Sequence, residues 1–223
     1  MTVRPVEQYE PERCRSIDLF SAALQGEPCT VLGLGREPVT MPSARWVDGT
    51  GESDEVVLAS CQGPTVDVGC GPGRMTFALA AQGICALGID VVPEAVAQTR
   101  ARGASAILRN VFSRVPGEGR WHTALLADGN IGIGGDPARL LRRVSELVSG
   151  HGRIVVDLSE PGVGLSTREL RLQVGGRCSE PFAWSLLSPE VLPEVAAEAG
   201  LRIGEVREHR ARWFAVLHKG GRS

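Results

Sequence analysis

The spacing of apolar positions changes along the chain, and each change marks an element. From Thr65 onward, short apolar runs alternate with longer segments in which apolar residues recur every three or four positions. Thr65-Val66-Asp67-Val68 reads as a short strand. Arg74 to Gln82 reads as a helix built on Met75, Phe77, Ala78, Leu79 and Ala81 and stopped by Gly83. Cys85 to Ile89 is a second strand. Pro93 to Arg102 is a helix with proline in its first turn and Gly103 as its stop. Ser105 to Leu108 and His122 to Ala127 are further strands. Asp136-Pro137 supplies an N-cap and a first helical residue for a helix reaching about Ser149. Gly152 to Asp157 is the fifth strand, and Ser188-Pro189 opens a helix that ends at Gly200. Leu201 to Glu208 and Arg212 to Leu217 are two last strands joined by a short polar turn. Strands alternating with helices of this length imply parallel units with right-handed crossovers. The last two strands are too close for a crossover and form an antiparallel hairpin. The expected fold is α/β: a doubly wound, seven-stranded, mostly parallel sheet with an antiparallel edge strand. Ligands bind such sheets at the carboxyl ends of the strands, where strand order reverses.

The first 60 residues have a different pattern. Tyr9 to Leu24 has helical spacing, and Cys29–Leu32 and Pro38–Met41 flank Gly33-Leu34-Gly35-Arg36 as a hairpin. Ser53 is placed to cap a helix reaching Cys61. The expected organisation is a helical and hairpin cap over residues 1–60 and one ligand-binding domain over 61–223. The Pro161–Trp184 segment stands outside the alternation, with possible joints at Val163-Gly164-Leu165 and Gly175-Gly176. The cap and this segment are both candidates to cover a site.

Composition removes several classes of function. A chain of 223 residues buries roughly 70% of its unfolded surface, so it folds without a metal or disulfide. Its six cysteines include no C-x-x-C pair and its four histidines are dispersed, so no zinc site or other metal is expected. No apolar run reaches the 18 or so residues of a membrane span, and Met1–Pro5 opens no secretory segment; a cytoplasmic protein is expected. A net charge of −2 gives no general attraction to nucleic acid or to an anionic membrane. Nothing in the sequence bears on oligomeric state.

The chemistry concentrates in Val66-Asp67-Val68-Gly69-Cys70-Gly71-Pro72-Gly73-Arg74, where the first strand of the alternation turns into a helix. Glycines at 69, 71 and 73 let backbone N–H groups approach a ligand, and Cys70 is small enough for the turn. Asp90 follows at the end of the next strand, 17 residues past Gly73, where a carboxylate can accept from two ribose hydroxyls. A nicotinamide dinucleotide site wants a third glycine where this chain has Arg74, and Asp67 would repel a pyrophosphate.

Asp67-x-Gly69-x-Gly71-x-Gly73 with Asp90 resembles the nucleotide-binding signature of class I S-adenosylmethionine-dependent methyltransferases, whose sheet is Rossmann-like. The resemblance covers roughly residues 53–218. It implies that Asp67 meets the amino end of the cofactor's methionine portion. The glycine turn would lie under the cofactor, and Asp90 would hold the ribose. Asn110, in Arg109-Asn110-Val111-Phe112, takes the adenine-facing position, with Val91 and Phe112 flanking the ring. Asp128 ends the fourth strand toward the methyl region and is the first candidate for a general base; His209, in the last turn, is the second. Asn130, Arg45 and Trp46 are candidates to contact the acceptor. The catalytic edge Asp128-Gly129-Asn130 lacks the N-P-P-Y or D-P-P-Y motif of enzymes that methylate nucleic-acid bases, so the resemblance implies a small-molecule acceptor methylated at oxygen or nitrogen. Two alternatives stay open: another use of the same cofactor without methyl transfer, and a nicotinamide-dependent oxidoreductase.

Overall fold

The structure is a computed structural model that describes residues 12–220. In chain order its elements are β1 (Glu12–Cys14), α1 (Ser16–Leu24), β2 (Cys29–Leu32), β3 (Val39–Thr40), α2 (Ser43–Val47), α3 (Glu52–Ala59), β4 (Thr65–Val68), α4 (Arg74–Ala81), β5 (Ala86–Asp90), α5 (Pro93–Ala101), β6 (Ala106–Leu108) and β7 (Trp121–Leu126). There follow α6 (Pro137–Leu147), β8 (Val148–Leu158), β9 (Leu165–Val174), β10 (Arg177–Ser179), β11 (Phe182–Leu187), α7 (Leu192–Glu198), β12 (Leu201–His209) and β13 (Arg212–Lys219).

The main sheet has seven strands in the order β12-β13-β8-β7-β4-β5-β6. Strands β4 to β8 pair in parallel, and β13 runs antiparallel to both of its neighbours. The chain moves outward from β4 through β5 to β6, then returns to the other side of β4 for β7 and β8. Strand order therefore reverses between β4 and β7, and this reversal is what opens a ligand crevice in such sheets. The central strands are buried on both faces: Val66, Ala124, Leu125, Ile154 and Val155 are inaccessible to solvent, as the continuous apolar runs of a covered parallel sheet require. Helix α6 shows how local sequence sets an element. The Asp136 carboxylate accepts from Arg139 N at 2.9 Å, Pro137 occupies the first position, and Leu140, Leu141, Val144 and Leu147 form one buried face.

Several boundaries depart from the sequence expectation, each with a local cause. Residues 12–14 are a strand and not the start of a helix, because β1 pairs with β10; residues 9–11 of the expected helix lie outside the described residues. The helix expected from Ser188 begins only at Leu192, since the Ser188 hydroxyl accepts from Gly164 N at 2.8 Å and is not available as a cap. Helix α6 passes straight into β8 at Val148, a buried β-branched residue paired with Trp121.

A second sheet was not foreseen. Its order is β1-β10-β9-β2-β3, with β11 also paired to β9. It joins the N-terminal hairpin, β2 and β3, to the segment between β8 and α7, pairing residues as remote as Cys29 and Val174. Its core holds Leu19, Met41, Leu172 and Val174. The sheet is tied to the main body where Ile133 pairs with Trp184 and where Thr167 Oγ1 donates to Gly135 O at 3.0 Å. Among the described residues no helix is long and apolar enough to cross a membrane.

Candidate functional site

The turn after β4 is bent by its glycines. Gly69, Gly71 and Gly73 all have φ in the left-handed region, at 71°, 55° and 83°. A Cβ on Gly69 would lie 2.8 Å from the Asn130 amide, and one on Gly73 would lie 2.4 Å from Thr99 Oγ1. Only glycine fits at either place. Gly71 instead faces open space, so its backbone is bare toward the crevice.

Carboxylates frame this turn. Asp90 ends β5 and accepts from Gly71 N at 2.9 Å and from Val92 N at 2.8 Å. It is thereby fixed across the mouth of the turn, and burial raises its pKa despite those bonds. Asp67, inside β4, is almost fully buried and accepts from Thr76 Oγ1 at 2.6 Å. Burial pushes its pKa up to about 7, against the opposing pull of the Thr76 bond. Asn130 bridges the crevice from the β7 side, its amide donating to Val68 O and Gly69 O, each at 2.9 Å.

Arg74, the residue that stands where a dinucleotide fold has its third glycine, organises the other wall. Its Nη2 donates to both oxygens of Asp128 at 2.6 and 2.7 Å, and its Nη1 pairs with Asp54 of α3. Arg212 of β13 pairs with Asp54 and with Asp157, and Asp157 in turn accepts from Asp128 N at 2.6 Å. Two guanidiniums and three carboxylates thus interlock in the interior. Burial opposes the charge on Arg212, but Asp157, Asp128 and Asp54 hold its pKa above the ordinary guanidinium value. One donor stays over: Arg74 Nε is buried and has no hydrogen-bond partner among the described residues.

The glycine turn, Asp67, Arg74, Asp90, Asp128 and Asn130 border a cavity of 690 Å³ between the two sheets, within the usual range of roughly 300–1,000 Å³ for small-molecule sites. It collects Asp67, Gly69, Cys70, Gly71, Asp90, Val91, Asn110, Val111, Asp128, Asn130 and Trp46. Gly73 lies behind the turn and does not line it. The Asn110 side chain accepts from Phe112 N at 2.9 Å, which orders the loop after β6. Cys70 is buried against Thr99, and burial raises its thiol pKa, as befits a packing residue. Two expected residues are placed elsewhere. Arg45 lines a separate cavity of 400 Å³ on the far side of Asp128, with Arg210 and Arg212. His209, at the end of β12, lines neither cavity. Asp128 does line the main cavity, but both of its oxygens are engaged by Arg74.

Residues 65–152 match the family model described as a methyltransferase domain. Over those residues the chain is similar to a methyltransferase domain. A sequence search of curated proteins finds no match. Among solved structures, a SAM-dependent methyltransferase from Bacteroides fragilis, in complex with S-adenosyl-L-homocysteine, superposes with a TM-score of 0.79 at 22% identity, covering 94% of this chain and 98% of that one. The CcbJ methyltransferase of Streptomyces caelestis gives 0.60 at 18% identity, covering 79% and 92%. The 1,6-didemethyltoxoflavin-N1-methyltransferase of Burkholderia thailandensis gives 0.58 at 17% identity, covering 79% and 81%. At these identities the likeness is one of fold, the Rossmann-like methyltransferase sheet with its antiparallel strand. Within the matched residues 65–152 fall Asp67, the glycine turn, Asp90, Asn110 and Asp128.

The sequence reading missed part of this cavity. Phe20 lines it from α1, and Leu170, Leu172, Phe182 and Trp184 line it from the second sheet. The signal for β9 was the alternation Leu170-Arg171-Leu172-Gln173-Val174, in which every apolar member is buried. Arg74 was read only as a missing glycine, and its ion pairs depend on Asp54 and Asp128, both remote in sequence.

Proposed function

We propose that this protein is an S-adenosylmethionine-dependent methyltransferase that methylates an oxygen or nitrogen of a small molecule. The observation that supports the cofactor most directly is Asp90, fixed by the Gly71 and Val92 amides at the carboxyl end of β5, the strand beside β4. The residues present fit the cofactor. The bare backbone at Gly71 leaves room for it, Asp67 offers an acid to a cationic amino end, and the orphaned Arg74 Nε offers a donor to a carboxylate. A pyrophosphate would meet Asp67 as a repulsive neighbour, and Arg74 stands where a dinucleotide fold wants its third glycine, which together speak against a nicotinamide dinucleotide.

When bound, the cofactor supplies an electrophilic methyl group on a sulfonium. The chain supplies position. Asp90 would hold the ribose through charge-assisted hydrogen bonds, each on the order of 1.5–3 kcal/mol. Val91, Val111 and Phe112 would enclose the adenine, and Asn110 would stand at its edge. Asp128, held by Arg74, acts in this reading as an orienting group of the wall and not as a base. The second sheet would exclude water and hold the acceptor close to the methyl, where proximity itself supplies several kcal/mol.

Titration calorimetry with S-adenosylhomocysteine and with NAD tests this reading. Binding of the first and not the second is expected, and binding of NAD alone would overturn it. Asp90→Ala should weaken S-adenosylhomocysteine at least tenfold; unchanged affinity would remove the ribose assignment.

A further inference from the structure

The cavity is divided by charge. Every charged residue that lines it, Asp67, Arg74, Asp90, Arg109 and Asp128, comes from the strand ends of the main sheet or the turns that follow them. Each carboxylate is already held there: Asp67 by Thr76, Asp90 by two backbone amides, Asp128 by Arg74. Opposite them the second sheet and α1 contribute aliphatic and aromatic side chains, with Ser16 their single hydroxyl.

The aromatic members form a cluster. Phe20 and Phe182 have ring centroids 6.0 Å apart, and Phe182 meets Trp184 edge-on at 6.4 Å. Trp184 is locked in place by Gly132, where a Cβ would lie 2.4 Å from the indole nitrogen, and by the pairing of its backbone with Ile133. Residues 130–134 follow β7 and Asp128, which lies two residues past the end of that strand. The aromatic cluster therefore stands against the same end of the crevice from which a methyl group would leave. Among the described residues, no hydrogen bond engages either the Trp184 or the Trp46 indole N–H.

We propose that this half of the cavity is an acceptor subsite for a neutral aromatic molecule, and that Phe182 and Trp184 set that specificity. The proposal rests on the methyltransferase reading and adds the class of acceptor. A charged acceptor would leave water for a wall with no counter-charge, a large desolvation cost without compensation. A flat neutral ring gains contact with Phe182, Trp184 and Leu172, in the edge and face arrangements aromatic pairs prefer. An indole N–H is the polar handle such a ring could use.

The test uses three probes with one ring system: 1-naphthylamine, neutral near pH 7.5; 1-naphthoate, an anion; and 1-naphthylmethylamine, a cation. Each is titrated calorimetrically into the protein saturated with S-adenosylhomocysteine. The neutral probe should bind at least tenfold more tightly than either charged one. Trp184→Ala and Phe182→Ala should each weaken it at least fivefold, with S-adenosylhomocysteine affinity kept as evidence of an intact fold, and Trp184→Phe should restore most of the loss. Equal or tighter binding of a charged probe would overturn the proposal. So would binding of none of the three by a protein that binds S-adenosylhomocysteine, or an unchanged affinity in both alanine variants. Failure to bind S-adenosylhomocysteine at all would instead count against the methyltransferase reading.

Discussion

Asp67 is the residue at which burial and function pull in opposite directions. A carboxyl inside a central strand is pushed up to about 7, with Thr76 as its single side-chain partner. The folded chain therefore holds a proton there that the unfolded chain, with a value of about 4, has already lost. Its contribution to stability is fully present below about pH 4 and is lost as pH rises through about 7. Urea unfolding of the free protein should show this decline, and Asp67→Asn should flatten it over that interval. Asp54 has the opposite sign. Burial raises its pKa, but Arg74, Gly51 and Arg212 together bring it below the usual value, so its stabilisation is lost on acidification. Arg74 holds more of the interior together than its place in a glycine motif suggests. Arg74→Met would take from Asp128 its two-pronged partner and leave Arg212 as the remaining cation beside Asp54, and breaking a buried pair from one side costs about 3–5 kcal/mol. Urea denaturation should register that loss, and adding Asp54→Asn to the same chain should recover part of it.

Elements whose pattern is local obey their own sequence, and elements whose partners are remote do not. Helix α6 begins where Asp136 and Pro137 place it, and β2 and β3 pair across the hairpin that their turn residues announced. Strand β1 and the start of α7 depart because β10 and Gly164, met only in three dimensions, make better partners for those residues. The short segment after β7 shows how tightly two elements can be fitted. At Gly132 a Cβ would meet both Trp184 and the backbone oxygen of Ser185, at 2.4 and 2.5 Å. Gly132→Ala should displace β11, destabilise the protein by about 1–3 kcal/mol as other overpacked sites do, and raise the Kd for 1-naphthylamine. Thermal unfolding and calorimetry measure the two effects separately.

On the scale of the whole molecule, the cavity lies between a sheet that carries charge and a sheet that carries apolar bulk. A ligand in that position contacts both and binds only the assembled form. S-adenosylhomocysteine at a hundredfold excess over its Kd should therefore stabilise the fold by about 2.7 kcal/mol, visible as a concentration-dependent rise in Tm. A Tm indifferent to the ligand would mean that the folded chain does not bind it in preference to the unfolded one. The sequence by itself determined the doubly wound sheet, its closing hairpin, the glycine turn and the order of Asp67, Asp90 and Asn110. Those follow from hydrophobic period, caps and turn chemistry, all of which act over a few residues. Only the tertiary structure decided that residues 29–40 and 165–187 form one sheet, that Arg74 joins Asp54 to Asp128, and that Phe182 and Trp184 face the crevice. Strand pairing and buried ion pairs unite residues as remote as Glu12 and Arg177 or Asp54 and Arg212, and no local pattern specifies which distant partner a strand edge or a guanidinium will find.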